Sequence, residues 1–105
     1  MINAKEELEQ FLENKAKVKC AEIVIGYQYA GEEECPEYVL KVNHSEQEYN
    51  DFLKSLDINY YNGYGTQELY GTVWLEDNTW LSRGEYDGSE WWEHNVLPII
   101  PEECL

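Results

Sequence analysis

The apolar residues of this chain recur with two periods, and the order in which those periods alternate confines it to one class of fold. In "NAKEELEQFLENKAK", Ala4, Leu8, Phe11, Leu12 and Lys15 fall on one stripe of a helix, with Asn3 placed to cap it. "VKCAEIVIGYQYA" then changes to strand alternation, with Ala21, Ile23, Ile25, Tyr27 and Tyr29 on one face. "GEEECPE" reads as a turn or loop. "EYVLKV" alternates again, placing Tyr38, Leu40 and Val42 together in the second arm of a hairpin. A second helix follows, because Ser45 and Glu48 in "SEQE" have the spacing of a capping box and Tyr49, Phe52, Leu53 and Leu56 recur at helical offsets.

Beyond it, Asn62-Gly63 in "DINYYNGYGTQ" supplies a turn, with the three tyrosines of that stretch partly displayed. "ELYGTVWLE" and "NTWLSRGEY" are two further strands, joined by "EDN" as a hairpin with Trp74 and Trp80 near its closed end. Asp87-Gly88 is the next turn signal, and Pro98 and Pro101 keep "NVLPIIPEECL" irregular. The expected fold is α+β: a small, mainly antiparallel sheet of about four strands with two helices on one face, in the order α-β-β-α-β-β plus an irregular C-terminal tail. At 105 residues, a single domain spanning residues 1–105 is expected.

Charge narrows the function. Residues 1–19 carry equal numbers of acids and bases, so the whole net charge of −15 lies after them, where 18 acids face only Lys41, Lys54 and Arg83. Such a body repels nucleic acid and anionic membrane, and its partners are expected to be basic. Duplex DNA carries one charge per ~1.7 Å of axis, so fifteen charges correspond to roughly 25 Å of duplex, enough to imitate a short segment. "MINAKEELEQ" does not resemble a signal peptide and no apolar run reaches the length of a membrane span, so a cytoplasmic location is expected. Cys20, Cys35 and Cys104 are widely spaced with no C-x-x-C pair, which argues for free thiols, Cys20 in a core strand, and against a zinc site.

The chemically dense stretch is "EYDGSEWWEHN", residues 85–95. Glu85, Asp87, Glu90 and Glu93 are the residue types of a paired-carboxylate active site, but acids are common throughout this chain. Glu90 and His94 would share a face if "SEWWEH" formed a helical turn, yet no third metal ligand is specified by spacing. No nucleophile motif or phosphate-cradling loop occurs. No catalytic residue, metal or cofactor is assigned. The surface reading treats Tyr86, Trp91 and Trp92 as anchors among carboxylates. Adjacent tryptophans of one strand cannot both face inward, so one is expected to close the core while its neighbour covers an edge.

Residues 61–94, in particular "NGYGTQELYGTVWLEDNTWLSRGEYDGSEWWEH", followed by "PIIP", resemble a group of small, uncharacterised acidic proteins of bacteriophages and prophages. The resemblance implies a setting, the host cytoplasm, and a character similar to inhibitors of host defence, including anti-CRISPR and anti-restriction proteins that imitate DNA. It carries over no catalytic residue. The expected function is therefore a non-enzymatic inhibitor holding a basic nucleic-acid-binding host protein or complex through Glu76, Asp77, Glu85, Tyr86, Asp87, Glu90, Trp91, Trp92 and Glu93, with no direct nucleic-acid binding. Two alternatives stand beside it: a small enzyme or ligand-binding domain with a pocket around Glu85, Glu90 and His94, and an assembly protein that forms a homodimer.

Overall fold

The computed structural model describes residues 1–26, 36–63 and 65–105. The chain runs β1 (Ile2–Asn3), α1 (Ala4–Leu12), β2 (Val18–Ile25), β3 (Glu37–Leu40), α2 (Glu46–Ser55), β4 (Asn59–Tyr60), β5 (Leu69–Leu75), β6 (Trp80–Tyr86), β7 (Ser89–Asn95) and a 3-10 turn at Glu102–Cys104. The main sheet is antiparallel with strand order β3-β2-β5-β6-β7, and β1 pairs with β4 in a separate two-stranded ribbon. The α+β architecture expected from the periods is present, with more strands than the periods indicated.

Local signals act where they stand. Asn3 caps α1 by accepting from the Glu6 N–H at 3.1 Å. At α2 the box is reciprocal: Ser45 Oγ accepts from the Glu48 N–H at 3.1 Å and the Glu48 carboxylate accepts from the Ser45 N–H at 3.0 Å. The bond from the Ser45 backbone, then that from its side chain, holds the Glu48 carboxyl below the usual glutamate range. A carboxyl lowered in this way stabilises the fold fully above its unfolded value, and that contribution is lost as pH falls through the folded one. Ser45→Ala is expected to cost about 1 kcal/mol at neutral pH. In urea titrations most of that cost should persist below about pH 4, because the variant keeps the backbone N–H at position 45 that lowers Glu48 most and the bond it loses, from the Glu48 N–H, does not titrate.

The core joins one face of the sheet to both helices. Ala21, Ile23 and Ile25 of β2, Leu40 of β3, Leu69, Val73 and Leu75 of β5, Leu81 of β6 and Trp92 of β7 pack with Ala4, Leu8, Phe52, Leu53 and Leu56. Each large side chain buried there contributes on the order of 1.5–3 kcal/mol. The expected inner face of β2 holds at Ala21, Ile23 and Ile25; Tyr27, Tyr29, the 31–35 part of the expected turn, Cys35 and Tyr64 lie outside the described residues. Cys20 sits half-buried in β2 and, like the exposed Cys104, is a free thiol.

Three expectations need correction. Residues 89–95 are neither a helical turn nor part of the tail, because Asp87 and Gly88 both take positive φ (51° and 86°) and close a two-residue hairpin between β6 and β7. Val42 lies beyond the end of β3 and is exposed, apart from Tyr38 and Leu40. Tyr60 is buried rather than displayed, since β4 turns it into the core beside α1.

Candidate functional site

The β6–β7 hairpin separates the residues of the acidic stretch by the two-residue period of a strand. Arg83 faces Trp92, Gly84 faces Trp91 and Glu85 faces Glu90 across the ladder. Inward-facing Glu90 and Trp92 alternate with outward-facing Ser89, Trp91 and Glu93. Glu90 is 2% exposed and Trp92 is 4% exposed, so neither belongs to a contact surface as expected from sequence. Trp91, at 39%, is the displayed neighbour, and its indole N–H donates to Glu93 Oε1 at 3.0 Å. Its ring occupies the space above Gly84, where a Cβ would collide with it.

Glu90 instead organises the interior. Its Oε2 accepts from the Glu68 N–H at 2.8 Å, and its Oε1 accepts from the Leu69 N–H at 3.1 Å and from Arg83 Nη2 at 2.7 Å. Those bonds tie the entry of β5 to β7, two strands that are not neighbours in the sheet. The Arg83 side chain is 3% exposed and also reaches Glu7 Oε1 at 3.3 Å and the Tyr60 hydroxyl at 2.9 Å. Its guanidinium lies 4.8 Å from the centroid of the Trp92 ring. Tyr60 donates its hydroxyl hydrogen to the Glu7 carboxylate. Burial, then the bond to Glu7, pushes the Tyr60 phenol far above its usual range, so it remains a donor. The buried carboxylate of Glu68 accepts from the Tyr61 N–H at 2.8 Å.

This network was not legible as a site in the sequence. Glu7, Tyr60, Glu68, Arg83 and Glu90 come from five separate elements or loops, and nothing in their spacing marks them as neighbours. The single arginine in a chain of excess acids is the only signal that could have pointed to it, since a lone guanidinium is a natural partner for buried carboxylates.

The remaining expected contact residues are exposed, but they do not form one patch. Glu76 and Asp77 lie in the β5–β6 turn, and Glu85, Tyr86 and Asp87 lie at the opposite end of β6. A seven-residue strand separates the groups by roughly 20 Å. Trp91 and Glu93 lie between them on the sheet face opposite the helices, which also carries Trp74 and Trp80. Asp77 is held below the usual aspartate range, chiefly by the Thr79 hydroxyl, and Tyr86 is 77% exposed. Among the described residues, 16 of 19 acids are exposed, while the lone arginine is consumed inside.

The alternative pocket around Glu85, Glu90 and His94 is not assembled. Glu90 is sealed by Arg83, Glu85 is exposed and accepts from the Gly88 N–H, and His94 is exposed with its Nε2 2.8 Å from Thr79 Oγ1. Among the described residues, no group of three or more His, Cys, Asp or Glu side chains is arranged to hold a metal ion, and no helix is long and apolar enough to cross a membrane. What the fold and its surface define is a small acidic α+β protein with a salt-bridged interior and an aromatic, carboxylate-bearing hairpin. No protein-family model, curated protein or solved structure matches the chain.

Proposed function

We propose that this chain is a non-enzymatic, phage-type inhibitor that occupies a basic nucleic-acid-binding surface of a host defence protein or complex, in the manner of anti-CRISPR or anti-restriction proteins that imitate DNA. The observation that carries the reading is that most acids among the described residues are exposed while the lone arginine is buried against Glu7 and Glu90. Fifteen net charges over a longest dimension of 49 Å amount to about one per 3 Å, about half the charge density of duplex DNA. Carboxylates at both ends of β6 provide long-range attraction, and Tyr86 at one end with Trp91 between them provides short-range holding.

The test is capture of partners from nuclease-treated host lysate at low and high salt. Enrichment of a DNA- or RNA-binding protein that competing DNA displaces supports the reading; retention of no basic protein at low salt overturns it. With the partner in hand, neutralising Glu76, Asp77, Glu85, Asp87 and Glu93 together is expected to slow association by about tenfold or more at low salt and to flatten its salt dependence. Trp91→Ala should act mainly on dissociation. Stopped-flow mixing across a salt series separates the two effects, and unchanged rates in both variants would dismiss the assignment.

One observation favours a second reading, that of an assembly protein. Val96, Leu97, Ile99, Ile100 and Leu105 are all largely exposed in the tail after β7, an apolar density that a second copy would cover. Sedimentation across a concentration series decides it: a dimer that dissociates when residues 96–105 are removed supports assembly, and a monomer throughout excludes it.

A further inference from the structure

We propose that the open edge of β7 is the docking site for an extended cationic segment of the partner, whose alternate Lys or Arg side chains enter the cleft between β7 and α1 and meet Glu7. The inference rests on the basic-partner reading above and assigns it a place.

The backbone makes the edge available. β7 ends the sheet, with β6 as its only strand neighbour among the described residues. The Glu90 N–H donates to the Asn62 carbonyl at 2.7 Å, so it points away from β6. Alternation along an antiparallel strand turns the N–H and C=O groups of Trp92 and His94 the same way. The 62–63 segment covers only the start of β7, through Asn62 and the bridge from Gly63 to Ser89. Beyond it, no described backbone carbonyl outside the sheet accepts from the Trp92 or His94 N–H. A strand added there would satisfy them.

The cleft beside that edge has the chemistry of a cation site. It holds about 330 Å³ and is lined by Glu7, Gln10, Phe11, Trp91 and Trp92. Trp91 and Trp92 point to opposite faces of the strand, so a cleft that touches both follows the edge itself. Glu7 and Glu90 flank one guanidinium, which leaves the cluster one negative charge in excess. Among the described residues, both contacts of the Glu7 carboxylate use Oε1, and Oε2 is its other acceptor. The aromatic walls already hold cations elsewhere on their surfaces: Lys15 Nζ lies 4.1 Å from the Phe11 ring centroid, and Arg83 stacks on Trp92. A second copy of β7 is a poor occupant, because residues 89–95 carry no Lys or Arg to meet Glu7.

The experiment is an NMR titration of the full chain with an acetylated, amidated hexapeptide of alternating arginine and threonine at low salt. Expected are shifts centred on the Trp92 and His94 amides, on the Trp91 indole and on Glu7 to Phe11. Glu7→Gln, which keeps an acceptor for Tyr60 and Arg83, should weaken binding about tenfold. Trp91→Ala, an exposed position whose loss should spare the core, should weaken it about threefold to fivefold. The same hexapeptide N-methylated at every backbone nitrogen has no N–H to pair along the edge and should bind more weakly. Shifts confined to the β5–β6 turn or scattered over the acids would overturn the docking site and leave the basic-partner reading standing. Absence of binding would also overturn the docking site, whereas the basic-partner reading fails separately, when capture from lysate retains no basic protein.

Discussion

Arg83→Ala is expected to cost about 3–5 kcal/mol, the penalty for leaving buried carboxylates without their counter-charge. That is a large fraction of the roughly 5–15 kcal/mol that a domain of this kind has in total. Glu90 is the reason for the size of the effect. It would keep its bonds to the Glu68 and Leu69 amides but lose the guanidinium 2.7 Å away, in a site from which water is excluded. Glu7 and Tyr60 would lose the same partner. Thermal unfolding followed by circular dichroism should show Tm falling by more than about 10 °C. The double variant Arg83→Met with Glu90→Gln removes both charges of the pair, keeps an acceptor for one of the two amides, and should recover part of the loss. If the double variant is as unstable as Arg83→Ala alone, the cost arises from lost packing rather than from an unpaired charge.

The two adjacent tryptophans should behave in opposite ways. Trp92→Ala is expected to destabilise by about 3–5 kcal/mol, because the ring is buried against the core and its loss leaves a cavity beneath β7. Trp91→Ala should cost less than about 1 kcal/mol, because its ring is partly solvated and lies over Gly84 on the outer face of the sheet. Urea titration of both variants measures the contrast directly. The Trp92 and Arg83 effects should not add, since the guanidinium stacks on the indole and each variant removes part of the other's environment. Similar losses at the two positions would mean that both rings support the fold, and Trp91 would then be no free anchor for a partner.

That contrast also marks how far the sequence could be read. The rule that neighbours on a strand face opposite ways predicts one tryptophan in and one out, and the structure bears this out. Which one turns inward depends on the register of the hairpin. Asp87-Gly88 sets that register by accepting positive φ at both positions. The β7 alternation was hidden in sequence because its inward positions carry Glu90 and Trp92, with the exposed His94 at the end, rather than aliphatic residues. A strand whose core-facing residue is a carboxylate does not look like a strand until its counter-ion is known. The short β1–β4 ribbon was hidden for another reason, since two-residue strands carry no period at all.

The sequence by itself determined the helices and their caps, four of the strands of the main sheet, the α+β class and the acidic character of the surface. Each of these rests on spacing within a few residues or on composition, and both are visible along a single line. Only the tertiary structure decided that Glu90 and Trp92 belong to the interior, that Arg83 is spent on Glu7 and Glu90, and that the edge of β7 lies beside a cleft. Those facts depend on contacts between residues up to 76 positions apart. Electrostatic pairing of that kind has no period, because a buried charge needs a partner at a distance of a few ångströms in space and at no particular distance along the chain.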